Sequence, residues 1–172
     1  MPMNVNYRHP LINFLRCWIQ HYDHRKYWKY RDSVLKFNSG GKIGLILNYL
    51  RLMYIKRCDA FNCASLGTDL GRGAQFKSIP KFPHGINGII INPNVVIGRN
   101  AYIYQQVTIG DDGRSEYNVP IIGDNVIIGA GAKLIGKITI GNNVKIGAGA
   151  IVVEDVPDNA SVVGTKARII IK

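Results

Sequence analysis

His84 is the only histidine between residue 61 and Lys172, and it sits in the segment Pro83-His84-Gly85-Ile86-Asn87-Gly88. An imidazole titrates near neutrality, so a histidine can take a proton from a hydroxyl at pH 7 and return it to a leaving group. General acid–base work is therefore the first chemistry this sequence offers. The other reading is a histidine that only hydrogen-bonds within a loop. No covalent nucleophile competes with it. Gly-x-Ser-x-Gly is absent, and Cys58 and Cys63 lie in an apolar transition segment that reads as inert packing. His21 and His24 share an expected helix face with Asp23 nearby, but a third metal ligand of the usual kind is missing, so no metal is expected. Gly129-Ala130-Gly131 lacks a Walker or dinucleotide fingerprint around it.

The elements that must hold His84 in place are periodic. In steps of six the chain reads Ile91, Ile97, Ile103, Ile109, and then Ile122, Ile128, Leu134, Ile140, Ile146, Val152. Glycine directly follows many of these marks, as at Gly98, Gly110, Gly123, Gly129, Gly141 and Gly147. Another small or branched residue stands two positions before them, such as Val95, Ala101, Val126, Ala132 and Val144. A period of six fits neither a helix at 3.6 residues nor strands with turns every 8–12 residues. It fits short strands bent at regular corners, each inward side chain stacking on the next coil. Arg99-Asn100, Asp124-Asn125 and Asn142-Asn143 fall where the chain must bend, and asparagine tolerates the left-handed backbone region. This is the hexapeptide signature of a parallel β-helix, a solenoid whose ends need caps.

The period breaks twice, and a regular stack has no need of either break. Leu70, Phe76 and Phe82 also step by six, but Phe82 to Ile91 is nine, and the three extra residues fall around His84. Ile109 to Ile122 is thirteen, an excess of seven, which produces a polar loop over residues 111–119.

Composition divides the chain in two. Residues 1–60 hold eleven Lys/Arg against Asp23, Asp32 and Asp59, a balance of +8, while residues 61–172 balance at +3. Only three of the nineteen glycines precede residue 61. A helical N-terminal segment over 1–60 and a β-helix over 61–172 are expected. Two helices, around Leu11 to Lys36 and Ile43 to Arg57, would be joined by Asn38-Ser39-Gly40-Gly41. The first is aromatic and basic, with Trp18, Tyr22, Tyr27, Trp28 and Tyr30; the second is strongly apolar. They read as a cap that closes the first coil and grips a neighbouring subunit. The alternative is contact with an anionic membrane surface or a lipid-linked glycan. No stretch approaches the roughly 20 apolar residues of a membrane span. No signal-peptide core forms, and three cysteines without clustering do not call for disulfides, so the cytoplasm is the expected compartment. A nucleic-acid module is not expected, because no recognised motif accompanies the basic segment.

The segments HGINGIIINPNVVIG (84–98), QQVTIG (105–110), 121–157 and VVGTKARII (162–170) resemble the hexapeptide-repeat acyltransferases, and within them the serine acetyltransferase-like group. The resemblance covers nearly two-thirds of the chain. It implies a left-handed coil with three hexads per turn, a homotrimer, and active sites between adjacent subunits. It implies acetyl-CoA as cosubstrate and His84 as the general base that deprotonates an acceptor hydroxyl. The cofactor contacts it carries over fall at Gly110, Ala130 and Ala148, with Lys133, Lys166 and Arg168 near the phosphates. The carboxylate that orients the histidine in that group has no clear counterpart. Aligning on Leu70-Gly71-Arg72-Gly73 puts Cys63 at its place, whereas Asp69 has the right separation from His84 but the wrong phase. The group's Asp-Arg-His-Pro segment is replaced by Tyr117-Asn118-Val119-Pro120.

These departures, the short helical segment and an end at Ile171-Lys172 without a partner-binding tail shift the expected acceptor. The layout looks like the acetyltransferases of capsular and exopolysaccharide assembly. A saccharide hydroxyl is therefore expected as acceptor, in surface polysaccharide biosynthesis and at the inner face of the membrane. L-serine is the alternative acceptor, and a non-catalytic β-helix scaffold is the alternative of another class.

Overall fold

The computed structural model describes residues 10–36 and 41–164. Three parallel four-stranded sheets form the walls of a left-handed parallel β-helix. The first wall holds β4 (Ile90–Ile91), β7 (Thr108–Gly110), β10 (Lys133–Ile135) and β13 (Ile151–Val152). The second holds β3 (Gln75–Phe76), β5 (Val96–Ile97), β8 (Ile121–Ile122) and β11 (Thr139–Ile140). The third holds β6 (Tyr102–Ile103), β9 (Ile127–Ile128), β12 (Lys145–Ile146) and β14 (Ser161–Val162).

Register follows the six-residue marks. Ile109 stands against Leu134 and Leu134 against Val152; Ile97 stands against Ile122 and Ile122 against Ile140. Each mark points inward and is buried, while its neighbour one position earlier faces out, so two-residue strands alternate out and in. At one corner Asn100, Asn125, Asn143 and Asn159 all adopt positive φ, and their side chains link in a ladder at 3.0–3.1 Å. The bend and the bond come from the same residue type, because a carboxamide both donates to the next coil and accepts from the last.

The first coil departs from the period. Ser65 bridges Ile90 and so carries Leu66 onto the stack; Leu70 does not occupy that place. Leu70 instead lies in the turn between β1 (Thr68–Asp69) and β2 (Arg72–Gly73), an antiparallel pair inserted before β3. The spacing Leu70–Phe76–Phe82 is thus coincidental at its first member.

The described part of the N-terminal region is helical, with three helices rather than two. The basic aromatic stretch splits into α1 (Pro10–Gln20) and α2 (His24–Leu35) at His21, whose φ is +49°. Asp23 then caps α2 by accepting from the Lys26 amide, which explains a helix restart there. Helix α3 runs Gly41–Phe61, longer at both ends than its apolar run. The residues expected as a joint, 38–40, lie outside the described residues. Helix α2 closes the first coil: Trp28 packs edge-on against Phe76 at 5.0 Å, and Arg31 donates to Thr68 Oγ1 and to the Ala74 carbonyl. None of the first ten residues of α3 is buried, and Ile43, Ile46, Leu50 and Met53 are exposed. No helix among the described residues is long and apolar enough to cross a membrane.

Between α2 and α3 the Tyr27 hydroxyl donates to Asp59 Oδ1 at 2.7 Å, both groups being buried. Burial pushes the Asp59 carboxyl up to about 6. A raised carboxyl pKa means the ionised form costs the fold, so on this group's account stability falls as pH rises from about 4 to 6. Tyr27→Phe is expected to destabilise by about 1.5–3 kcal/mol above pH 6, where the bond is to a charged acceptor, and by less near pH 4. Urea unfolding at pH 8 and pH 4.5 checks this; a difference independent of pH would count against it.

Candidate functional site

One corner of the prism, between the third and first walls, collects the breaks and bare backbone that the regular stack does not need. Residues 82–89, 104–107, 129–132 and 147–150 form it, one segment per coil. Their backbones bond in a column: Gln106 N to Asn87 O at 2.9 Å, Gly131 N to Gln105 O at 2.9 Å, and Gly149 N to Ala130 O at 2.8 Å. Lys81 bridges Tyr102 and Ile90 pairs with Thr108, so nine residues on the lower coil span what six span on the next. The three extra residues are accommodated here, around His84.

His84 is exposed at this corner, and its ring lies 5.8 Å from the ring of Tyr104 on the coil above. Among the described residues no carboxylate is within ion-pair distance of it. Asp69 in particular is elsewhere. It lies in the inserted hairpin and pairs with Lys56 at 2.7 Å. The hairpin leaves the first wall at its far end, on the way to the second, so Asp69 does not orient His84 in this arrangement.

Ala130 and Ala148 belong to the same corner as His84, stacked one coil apart. Beside them Gly131 and Gly149, both at positive φ, would put a Cβ into open space. The corner is therefore smooth, with backbone accessible along its length, as a long flexible ligand arm requires. Gly110 is not at this corner; it ends β7 at the far edge of the first wall and likewise faces open space. Lys133 lies between the two, but its ammonium is engaged, donating to Gln106 O and Thr108 Oγ1 at 3.0 Å each. It ties a coil together in this structure. Lys166 and Arg168 lie outside the described residues.

Tyr104, Gln105 and Gln106 were missed. Gln106 holds φ +60°, and the Gln105 side-chain oxygen is buried with no hydrogen-bond partner among the described residues. The signal was present in the phase of the repeat: residues 104–107 lead directly into Thr108 of the first wall, as 82–89 lead into Ile90. The polar loop 111–118 emerges at the neighbouring corner, between the first and second walls, and is tied down. Arg72 bonds Glu116 and holds its carboxyl below the usual range, and Asn92 donates to Asp111 at 2.8 Å. His21 stacks on Phe61 at 3.7 Å, while His24 meets the Tyr22 hydroxyl at 2.8 Å. No group of three or more potential metal ligands occurs among the described residues. Cys58 is buried, but Cys63 is exposed, at variance with the packing role expected for both.

Residues 120–153 match the family model described as bacterial transferase hexapeptide (six repeats). That stretch of the β-helix is similar to the transferase hexapeptide repeats. The chain is 40% identical over 105 residues to a serine acetyltransferase of Synechococcus elongatus, covering 60% of this chain and 43% of that one. It is 43% identical over 105 residues to that of Staphylococcus xylosus, covering 60% and 48%. Among solved structures, soybean serine acetyltransferase complexed with serine superposes with a TM-score of 0.57 at 34% identity, over 72% of this chain and 49% of that one. The serine acetyltransferase of Brucella abortus gives 0.61 at 29% identity, over 86% and 53%. The chain thus spans about half the length of the relatives it matches.

These likenesses correct the expected acceptor. They point to serine acetyltransferases, not to enzymes of surface polysaccharide assembly. The saccharide expectation rested on two local departures, the replaced Asp-Arg-His-Pro segment and the short helical region, whereas the likeness to serine acetyltransferases is carried by 105 aligned residues.

Proposed function

We propose that this chain is an acetyl-CoA-dependent serine O-acetyltransferase, acting on L-serine on the route to cysteine, with His84 as general base. The observation that carries the reading is its 40–43% identity over 105 residues to serine acetyltransferases. The bare corner supports it, because acyl transfer from a long thioester needs accessible backbone beside a titratable base.

In this mechanism His84 takes the proton from the serine hydroxyl as its oxygen attacks the thioester carbonyl of the acetyl donor. The tetrahedral oxyanion is met by backbone N–H groups of the corner coils. Collapse breaks the carbon–sulfur bond, and the imidazolium returns its proton to the departing thiolate, so the base is regenerated. Ala130, Gly131, Ala148 and Gly149 let the donor's pantetheine arm lie against the backbone. Gly110 does the same at the far edge of the first wall. Tyr104, beside His84, limits the ring's orientations. The chain assembles as a homotrimer, in which the corner of one subunit faces the wall of the next.

The test is a thiol-release assay with acetyl-CoA against L-serine and a panel of small hydroxyl acceptors. Turnover with L-serine at a kcat/KM in the ordinary range of about 10⁴–10⁸ M⁻¹s⁻¹ is expected. No release with serine, at protein concentrations where acetyl-CoA binds, would overturn the reading.

A further inference from the structure

Helix α2 does not lie flush on the second wall. A groove of about 800 Å³ runs between them, and none of the residues that line it belongs to the corner that carries His84. Its charge is one-sided. Arg25, Lys29, Arg31 and Lys36 line it from the helix, and Asp32, the one acid in the lining, is held by Lys36 at 3.0 Å.

Arg31 decides what the groove can do. The residue is 4% exposed, so its cation has been taken almost wholly out of water. Its Nε donates to Thr68 Oγ1 at 2.9 Å, a terminal nitrogen donates to the Ala74 carbonyl, and the Trp28 and Phe76 rings flank it at 5.2 and 4.8 Å. Every one of these partners is neutral. Among the described residues no carboxylate lies within ion-pair distance. A buried guanidinium normally has a carboxylate or phosphate to offset its desolvation. Gly73 lets the helix approach the wall here, since a Cβ would stand 2.5 Å from the Gly67 carbonyl oxygen, 2.9 Å from Leu35 Cδ2 and 3.3 Å from a terminal nitrogen of Arg31. Trp28, Leu35, Phe76 and the half-exposed Ile79 give the lining an apolar part, and Gln75 and Ser78 add uncharged polar groups.

We propose that this groove is a binding site for an organic phosphate, a phosphate monoester carried on an apolar or aromatic body. The phosphate lies over Arg31 within reach of Arg25 and Lys29, because a guanidinium fork matches phosphate oxygens and the rim cations add charge. The body packs on Trp28, Phe76 and Ile79. This site stands independently of the role assigned to His84.

Phenyl phosphate is a probe with both parts, inorganic phosphate a probe with only the head. Trp28 reports occupancy by fluorescence once the exposed second tryptophan is replaced by Trp18→Phe. Phenyl phosphate should give a saturable change, bind at least 10-fold more tightly than inorganic phosphate, and be weakened 10-fold or more by Arg25→Gln with Lys29→Gln. Both rim residues belong to the solvent-facing side of α2, so that variant keeps the fold where Arg31→Lys could lose it. A response that is absent, that chloride reproduces at equal ionic strength, or that survives unchanged in the rim variant would overturn the site. Equal affinity for the two probes would overturn the apolar half of it.

Discussion

His84→Ala is expected to slow acetyl transfer to L-serine on the order of 10²–10⁴-fold, a loss of about 3–5 kcal/mol of transition-state stabilisation. The loss should fall on turnover, since the imidazole acts on the moving proton and contributes little to holding the donor. The side chain is exposed at a corner, touching Tyr104 rather than the buried stack. Its removal therefore leaves no core cavity, and the variant should unfold at the same denaturant concentration as the parent. Light scattering should return the same mass for both, about three times 19.1 kDa. Titration with acetyl-CoA should give an unchanged dissociation constant. Near-normal turnover in the variant would remove His84 from the mechanism and leave acyl transfer to some other base.

Ile122→Ala should destabilise the β-helix by about 2–5 kcal/mol, and Ile122→Val by only about 0.5–1.5. Ile122 is 2% exposed and sits in the middle of the second wall, between Ile97 below and Ile140 above. A cavity there removes contacts from both neighbouring coils. In a solenoid those nearest-neighbour contacts are most of what holds a coil. The rigid backbone of the corners limits collapse, since Gly123 stands so close to Gly141 that a Cβ would meet its carbonyl at 2.8 Å. Urea unfolding of the two variants reads both numbers. Equal and small losses would mean the stack tolerates voids, contrary to its dense register.

Sequence periodicity determined the β-helix, its register and the location of its breaks. The reason is that each inward mark must stack on its counterpart one coil away, as Leu134 meets Val152 on one side and, across the inserted loop, Ile109 on the other. The same logic made the asparagine corners legible, since few residues accept positive φ and also bond across coils. Where the pattern was not repeated the sequence misled. A spacing of six placed Leu70 on the stack, but backbone pairing across the inserted hairpin gave that place to Leu66. One aromatic basic stretch reads as one helix, but Asp23 caps a second helix within it.

Only the tertiary structure decided which residues share a corner. His84, Tyr104, Ala130 and Ala148 are far apart in the chain and meet because three walls bring each successive coil back to the same edge. It also separated what spacing had joined, tying Asp69 to Lys56 on α3 and sinking Tyr27 and Trp28 into the cap. Above all, it placed Arg31 in the molecule's interior with no carboxylate within ion-pair distance among the described residues. A sequence shows that a residue is charged, but what the charge faces depends on elements that meet only in the fold.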